Sequence, residues 1–298
     1  MAQTEPVQLS ERVYYLPGGV NCAVILNGSG GALLVDTGQD KSYGARLRRA
    51  CEGLGVTPLA ILNTHSHADH YGGNAYLLRN CDLKVYAPPF EASVLQSPYL
   101  EPVYLFNGAK PPPELLSKWL LAKPSRVDTL VEAGEHELAG VTLRLLDTSG
   151  HAHRQVSVLV DGVLIAADAL FGREVLSKYP LPFGQDVAKQ IESARALTEV
   201  AAHTALPGHG RPTHEVEAII ASNLAAFDRA ARAVEAACVG GSTEEVLARV
   251  CDALSVEISD LPRYYLNLCV VSAYLSYLRA EGRVDLELAN NRLRWQRS

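Results

Sequence analysis

Short apolar runs separated by turn residues fill the first half of the chain, and long helical periods dominate its last third. Residues 13–16, 23–26, 32–36, 60–63 and 84–86 have the length and the β-branched, aromatic content of strands. Residues 43–54 instead repeat apolar positions at helical spacing, with Leu47 and Cys51 inward and Arg46, Arg48 and Arg49 outward. That arginine cluster predicts a solvated face. Strand-like patterning returns from Val127 to Asp168, followed by a helix over residues 186–200. Beyond Pro212 the pattern is helical: residues 215–237, then a helix to Leu254 opened by the capping box Ser242-Thr-Glu-Glu245. Asp260-Leu-Pro262 opens another helix with proline in its first turn, running to Ala280. Residues 282–295 alternate around Asn290-Asn291 and read as a hairpin.

One stretch breaks this order. Pro98, Pro102 and Pro111 to Pro113 punctuate residues 97–124, where residues 114–121 predict a short amphipathic helix. An insertion that long is a lid or an oligomer contact, the second implying a homodimer.

The densest chemistry lies in residues 63–74, which place His65, His67, Asp69 and His70 directly after an apolar run. Imidazole is the commonest protein ligand for zinc-like cations, and a carboxylate completes a mixed nitrogen and oxygen set. Clustered lone pairs of this kind are costly unless a cation neutralises them. Three further strand-like segments end in a candidate ligand: His151 after Ser149-Gly150, Asp168 after Ala166-Ala167, and His209 after Pro207-Gly208. Sites are commonly assembled from such strand ends. His136, His153, His203 and His214 lack that setting and read as surface residues.

With these residues in place, the chain resembles the metallo-β-lactamase superfamily, whose His-x-His-x-Asp-His signature is followed by a His, an Asp and a last His. The resemblance covers about the first three quarters of the sequence, and Asp36 in Leu33-Leu-Val-Asp-Thr-Gly38 matches a further motif upstream. It implies an α/β fold, a four-layer αβ/βα sandwich over residues 1–236 with residues 97–124 as a lid bordering the site. Residues 237–298 would form a C-terminal helical, winged-helix-like extension. It implies two divalent metal ions, zinc first, with iron or manganese as other choices. His65, His67 and His151 would surround one metal and Asp69, His70 and His209 the other, with Asp168 bridging and Asp36 supporting ligands from behind. Asp69 and Asp168 would be catalytic, fixing a hydroxide shared by the two metals. Two departures, Ala167 before the bridging carboxylate and Ser149 before Gly150-His151, remove no ligand. Phe171, Lys178, Tyr179 and Phe183, on the loop after Asp168, are candidates for a substrate pocket.

Within that resemblance the expected substrate is a small carboxylic ester, thioester or lactone. An RNA or phosphodiester is the runner-up, motivated by Arg283, Arg292, Arg294 and Arg297 near the C-terminus. β-Lactam hydrolysis, a mononuclear-iron persulfide dioxygenase and a metal-stabilised interaction protein stand behind these. Composition bears on the choice. The formal net charge of -6 disfavours a large nucleic-acid footprint. Mean hydropathy is +0.02, and no apolar run approaches the roughly 20 residues of a membrane span. Six cysteines without metal-ligand spacing, and an N-terminus without a secretory pattern, predict reduced thiols in the cytoplasm.

Overall fold

A computed structural model describes residues 5–298; the N-terminal reading at residues 1–4 lies outside the described residues. The first sheet has seven strands in sequence order: β1 (Val7–Gln8), β2 (Val13–Leu16), β3 (Cys22–Leu26), β4 (Gly31–Val35), β5 (Thr57–Leu62), β6 (Lys84–Ala87) and β7 (Thr129–Leu130). Strands β1 to β4 are antiparallel, and β4 to β7 run parallel. Parallel neighbours need crossovers, which α1 (Lys41–Gly53), α2 (Ala68–Tyr71), α3 (Asn74–Asn80), α4 (Pro89–Gln96) and α5 (Leu100–Leu105) supply.

The second sheet is β8 (Gly134–Leu138), β9 (Val141–Asp147), β10 (Val156–Val160), β11 (Val163–Phe171) and β12 (Thr204–His209). It is antiparallel except for the β11–β12 pair, which α6 (Arg173–Lys178) and α7 (Val187–Ala196) connect. Strand alternation then builds four layers. Ala23, Ile25, Leu33, Val35 and Leu62 face Leu145, Val158 and Ile165 across the central core. The opposite faces carry Val24, Leu34 and Ile61 against Leu47, Cys51 and Leu77 of α1 and α3, and Leu164, Leu170 and Ala205 against Leu197 and Ile219. The molecule is the four-layer αβ/βα sandwich, with helices on both outer faces.

The rest of the chain is α8 (Val216–Ala237), β13 (Val239–Gly241), α9 (Thr243–Leu254), α10 (Leu261–Ala280), β14 (Val284–Ala289) and β15 (Arg292–Arg297). The helix, helix, hairpin order appears as read, with β13 adding a third strand beside β15. Ser242 and Glu245 form the reciprocal capping box, and Asp260 caps α10. Asn290 and Asn291 both take positive φ, the backbone that a two-residue primed turn requires. Leu181 and Val187, before and at the start of α7, share one apolar cluster with Val234, Val246, Val271 and Val284.

Three local expectations need correcting. Residues 114–121 are not an amphipathic helix: only Pro113–Leu116 forms a 3₁₀ turn, and Ser117 is extended. Leu115 and Leu120 are instead both buried against Leu261, Tyr265 and Cys269 of α10, a pairing that a continuous helix would not present. The arginine face of α1 is only partly solvated. Arg46 donates to the Pro17 carbonyl at 2.9 Å and lies 5.0 Å from the Tyr43 ring centroid, so it braces the β2–β3 connection. The helix at residues 186–200 ends at Ala196 and tightens into a 3₁₀ turn over Leu197–Glu199.

Candidate metal centre

Parallel pairing brings the site residues together. Asp36 follows β4 and residues 63–65 follow the adjacent β5, locked by the Asp36 N–H to Leu62 carbonyl bond of 2.9 Å. Asp168 and His209 come from the adjacent parallel β11 and β12, while His151 lies in the β9–β10 connection. Asp36 adopts φ 57°, a left-handed turn that aspartate tolerates, and points its carboxylate under the histidine run. It accepts from the Thr64 N–H and hydroxyl, each at 2.8 Å, and from His70 Nδ1 at 2.8 Å.

Four of the five rings are oriented by the nitrogen that faces away from the centre. His65 Nδ1 lies 3.0 Å from Thr64 Oγ1, whose proton goes to Asp36. His151 Nδ1 donates to the Phe183 carbonyl at 3.1 Å, and His209 Nδ1 to the Gly19 carbonyl at 2.7 Å. His70 is held by Asp36, leaving Nε2 of all four rings turned inward. Asn21 straps the His209 turn from behind: its side-chain amide donates to the Pro207 and Gly210 carbonyls, each at 2.8 Å.

Three groups have ligand atoms within 4.8 Å of one another: His65, His67 and His151; Asp69, His70 and His209; and Asp36, His65 and His70. Asp168 lies between the first two. Its Oδ2 is 3.2 Å from His151 Nε2 and 3.3 Å from His209 Nε2, and its Oδ1 is 3.3 Å from His70 Nε2. His209 Nε2 is also 3.4 Å from Asp69 Oδ2. His65, His70, His151 and Asp168 are buried, whereas His67, Asp69 and His209 are partly open and form the approach side. All seven sequence-predicted ligands therefore converge, with Asp36 behind them.

Protein groups do not satisfy this arrangement by themselves. Of the buried inward atoms, His65 Nε2 has no hydrogen-bond partner, and His70 Nε2 and Asp168 Oδ1 meet only as an ion pair at 3.3 Å, without a well-formed hydrogen bond. His67 Nδ1 faces His151 Nε2 at 2.9 Å, two nitrogens that bond only through a shared proton or a cation. Burial pushes His67 down to about 4 and His151 to about 3, so both present lone pairs. His65 is held well below its ordinary range by burial and by the neighbouring rings. Burial opposes charge on His70, but Asp168 and Asp36 outweigh it and carry that ring up to about 10. Asp69 and Asp168 are likewise held well below the carboxylate range, against burial, by the surrounding histidines. Orphaned inward nitrogens beside ionised carboxylates fit divalent cations.

A pH prediction follows for protein stripped of metal. His67 and His151 have folded pKa values below that of the unfolded chain, so the unfolded state binds more protons between about pH 6.5 and 4. Their stabilising effect is whole above pH 6.5 and is lost as pH falls. His70 and His209, displaced upward, add stability only until the unfolded imidazole protonates near pH 6.5, an offset confined to the top of the window and smaller than the loss. Unfolding free energies from denaturant titrations in chelator should drop from pH 7 to 4.5 by on the order of a few kcal/mol. A flat profile would contradict the burial of neutral imidazoles.

Of the candidate pocket residues, Phe171 and Phe183 flank the ligands. Phe183 is 5.3 Å from the His67 ring and 5.4 Å from His151, and Phe171 stacks on His209 at 6.4 Å. Lys178 and Tyr179 are exposed and engage each other, the ammonium 5.0 Å from the ring centroid. His153 meets Phe90 edge-on, His136 reaches the Glu132 carbonyl, and His203 and His214 share Thr204; all four lie outside the ligand groups. Sequence reasoning passed over Thr64 and Asn21. It also passed over Glu91, whose Pro-Pro-Phe-Glu setting signals only an acidic first helical turn.

Comparison with known proteins agrees with this geometry. A family model described as the metallo-beta-lactamase superfamily matches residues 15–209. A probable metallo-hydrolase of Bacillus subtilis is 29% identical over 185 residues, 61% of this chain and 81% of that protein. A hydroxyacylglutathione hydrolase of Xanthomonas campestris is 28% identical over 50% of this chain and 45% of its own length. A metallo-beta-lactamase family protein of Thermus thermophilus superposes with a TM-score of 0.74 at 23% identity, covering 98% of this chain and 100% of that one.

Proposed function

Because the chain belongs to the metallo-beta-lactamase superfamily, as a hydrolase of that class, we propose that it cleaves a small carboxylic ester, thioester or lactone. His65, His67 and His151 would hold one divalent cation and Asp69, His70 and His209 a second, with Asp168 placed between the two groups. Zinc suits this nitrogen-rich set first, with iron and manganese next. When bound, the cations supply Lewis-acid activation of water and of the scissile group. The observation that carries the reading is the convergence of buried, inward nitrogens on His65, His67, His70 and His151 around Asp168, with His65 Nε2 left without any hydrogen-bond partner.

The protein's own groups do the rest. Asp69 and Asp168, ionised at neutral pH, accept hydrogen bonds from the attacking water and set its direction. Phe171 and Phe183 wall the site against bulk solvent, which strengthens every charge interaction inside. Substrate enters over the partly open His67, Asp69 and His209. Residues 97–124 act as the lid: Tyr104 Oη accepts from Gln185 Nε2 at 3.3 Å, and the Gln185 N–H donates to the Gly150 carbonyl beside His151 at 2.8 Å.

The named activity of the Xanthomonas relative supports the thioester class, and the arginines of the C-terminal module weaken the RNA alternative. Arg283 is paired with Glu235, and Arg297 donates to the Glu235 and Ala236 carbonyls, which leaves Arg292 and Arg294. Protein purified without added metal should contain two zinc ions per chain and turn over a thioester, lactone or aryl ester while leaving single-stranded RNA intact. Bound product should protect residues 97–124 from limited proteolysis. RNA cleavage without ester turnover would reverse the assignment, and one iron per chain with persulfide-dependent oxygen uptake would replace it.

A further inference from the structure

Glu91, on α4, is 1% exposed, and its carboxylate is given over to loops rather than to its own helix. Oε2 accepts from the Ser66 backbone N–H at 3.0 Å and from the Ser66 hydroxyl at 2.5 Å, while Oε1 accepts from the Arg154 backbone N–H at 3.0 Å. Ser66 lies between His65 and His67, and Arg154 is three residues beyond His151. A single side chain thus spans the two loops that contribute all three histidines of one group. Glu91 contributes no atom to the ligand groups themselves.

Packing alone does not account for it. A buried carboxylate carries a large desolvation cost unless hydrogen bonds meet it, and an apolar residue would seat α4 more cheaply. All three partners are donors, so the carboxylate acts purely as an acceptor joining two otherwise separate backbones. We propose that Glu91 is a positioning residue that sets the spacing between the 65–67 turn and the His151 loop, and so the cation affinity of the three-histidine half of the centre. The proposal rests on those histidines holding a cation.

Cobalt(II) titration of the full chain, followed by visible absorption and chelator competition, tests it. Glu91→Gln keeps the shape but replaces one acceptor oxygen with a donor, so it cannot accept at both ends. The expected result is about 10- to 100-fold weaker cobalt binding at the three-histidine half, the loss typical of ligand-orienting partners. The absorption of that half should shift with the other half unchanged, while the metal-free denaturation midpoint falls because the amide sets a donor against a donor at one end. Ser66→Ala, which removes one of the three bonds, should cause a smaller loss at the same half. Wild-type cobalt affinity in Glu91→Gln would overturn the proposal, as would equal weakening of both halves. Should Glu91→Gln not fold, unaltered cobalt affinity in Ser66→Ala overturns it. A wild-type protein that binds no cobalt would overturn the dinuclear reading as well, which separates the two failures.

Discussion

Asp168→Ala is expected to bring metal content from two ions per chain to one or fewer and to lower kcat/KM by more than about 100-fold. The bound on the effect comes from comparison with residues that merely orient ligands, whose loss costs about 10- to 100-fold. Asp168 is placed to do more. Its two oxygens lie within 3.3 Å of His70, His151 and His209, so one carboxylate faces rings from both ligand groups. Without it, His70 and His209 lose the negative charge that holds them protonated in the metal-free protein, and three ring edges confront one another in a buried space. Metal analysis and turnover should fall together. Wild-type metal content with wild-type turnover would remove Asp168 from the site altogether.

Gly208→Ala is expected to cost nearly as much in turnover without replacing a ligand. A Cβ at Gly208 would stand 1.9 Å from Asp168 Oδ1 and 2.9 Å from the carbonyl carbon of Ala167. The β12 backbone cannot retreat, because the Gly208 carbonyl accepts from the Asn21 N–H at 2.8 Å and the Asn21 amide holds residues 207 and 210. The carboxylate must therefore move. Displacement of a reacting group by about 1 Å can cost on the order of 100-fold in rate. Overpacking adds about 1–3 kcal/mol of destabilisation. Steady-state kinetics alongside denaturant midpoints check both parts, and unchanged kinetics would mean that Asp168 tolerates displacement.

The residues that were legible in the sequence share a physical reason. His65, His67, Asp69 and His70 crowd into six positions, and His151, Asp168 and His209 each follow a glycine turn or an apolar strand, so local pattern alone exposes them. Strand positions were readable because β2 to β6 alternate between two buried faces. What stayed hidden depends on contacts far apart in the chain. Ala167 takes φ 46°, a left-handed position that its identity does not advertise, because the irregular β11–β12 register turns Asp168 toward the centre. Glu91 resembles any acid in a first helical turn until Ser66 and Arg154 are seen against it. The failed helix at residues 114–121 is the same lesson in reverse. Local amphipathicity there yields to two leucines that α10 buries.

The apolar cluster shared by α7 to α10 has a practical consequence for dissecting this enzyme. Phe183, whose carbonyl orients His151, sits between Leu181 and Val187 and packs on the same cluster as Val246, Val271 and Val284. Deleting residues 237–298 would strip the roof from that loop and slacken an imidazole in the active centre. A truncated chain would lose activity whether or not its missing part ever meets a substrate. Arg292→Ala and Arg294→Ala, on an exposed hairpin, interrogate the appendage while leaving its buttress standing.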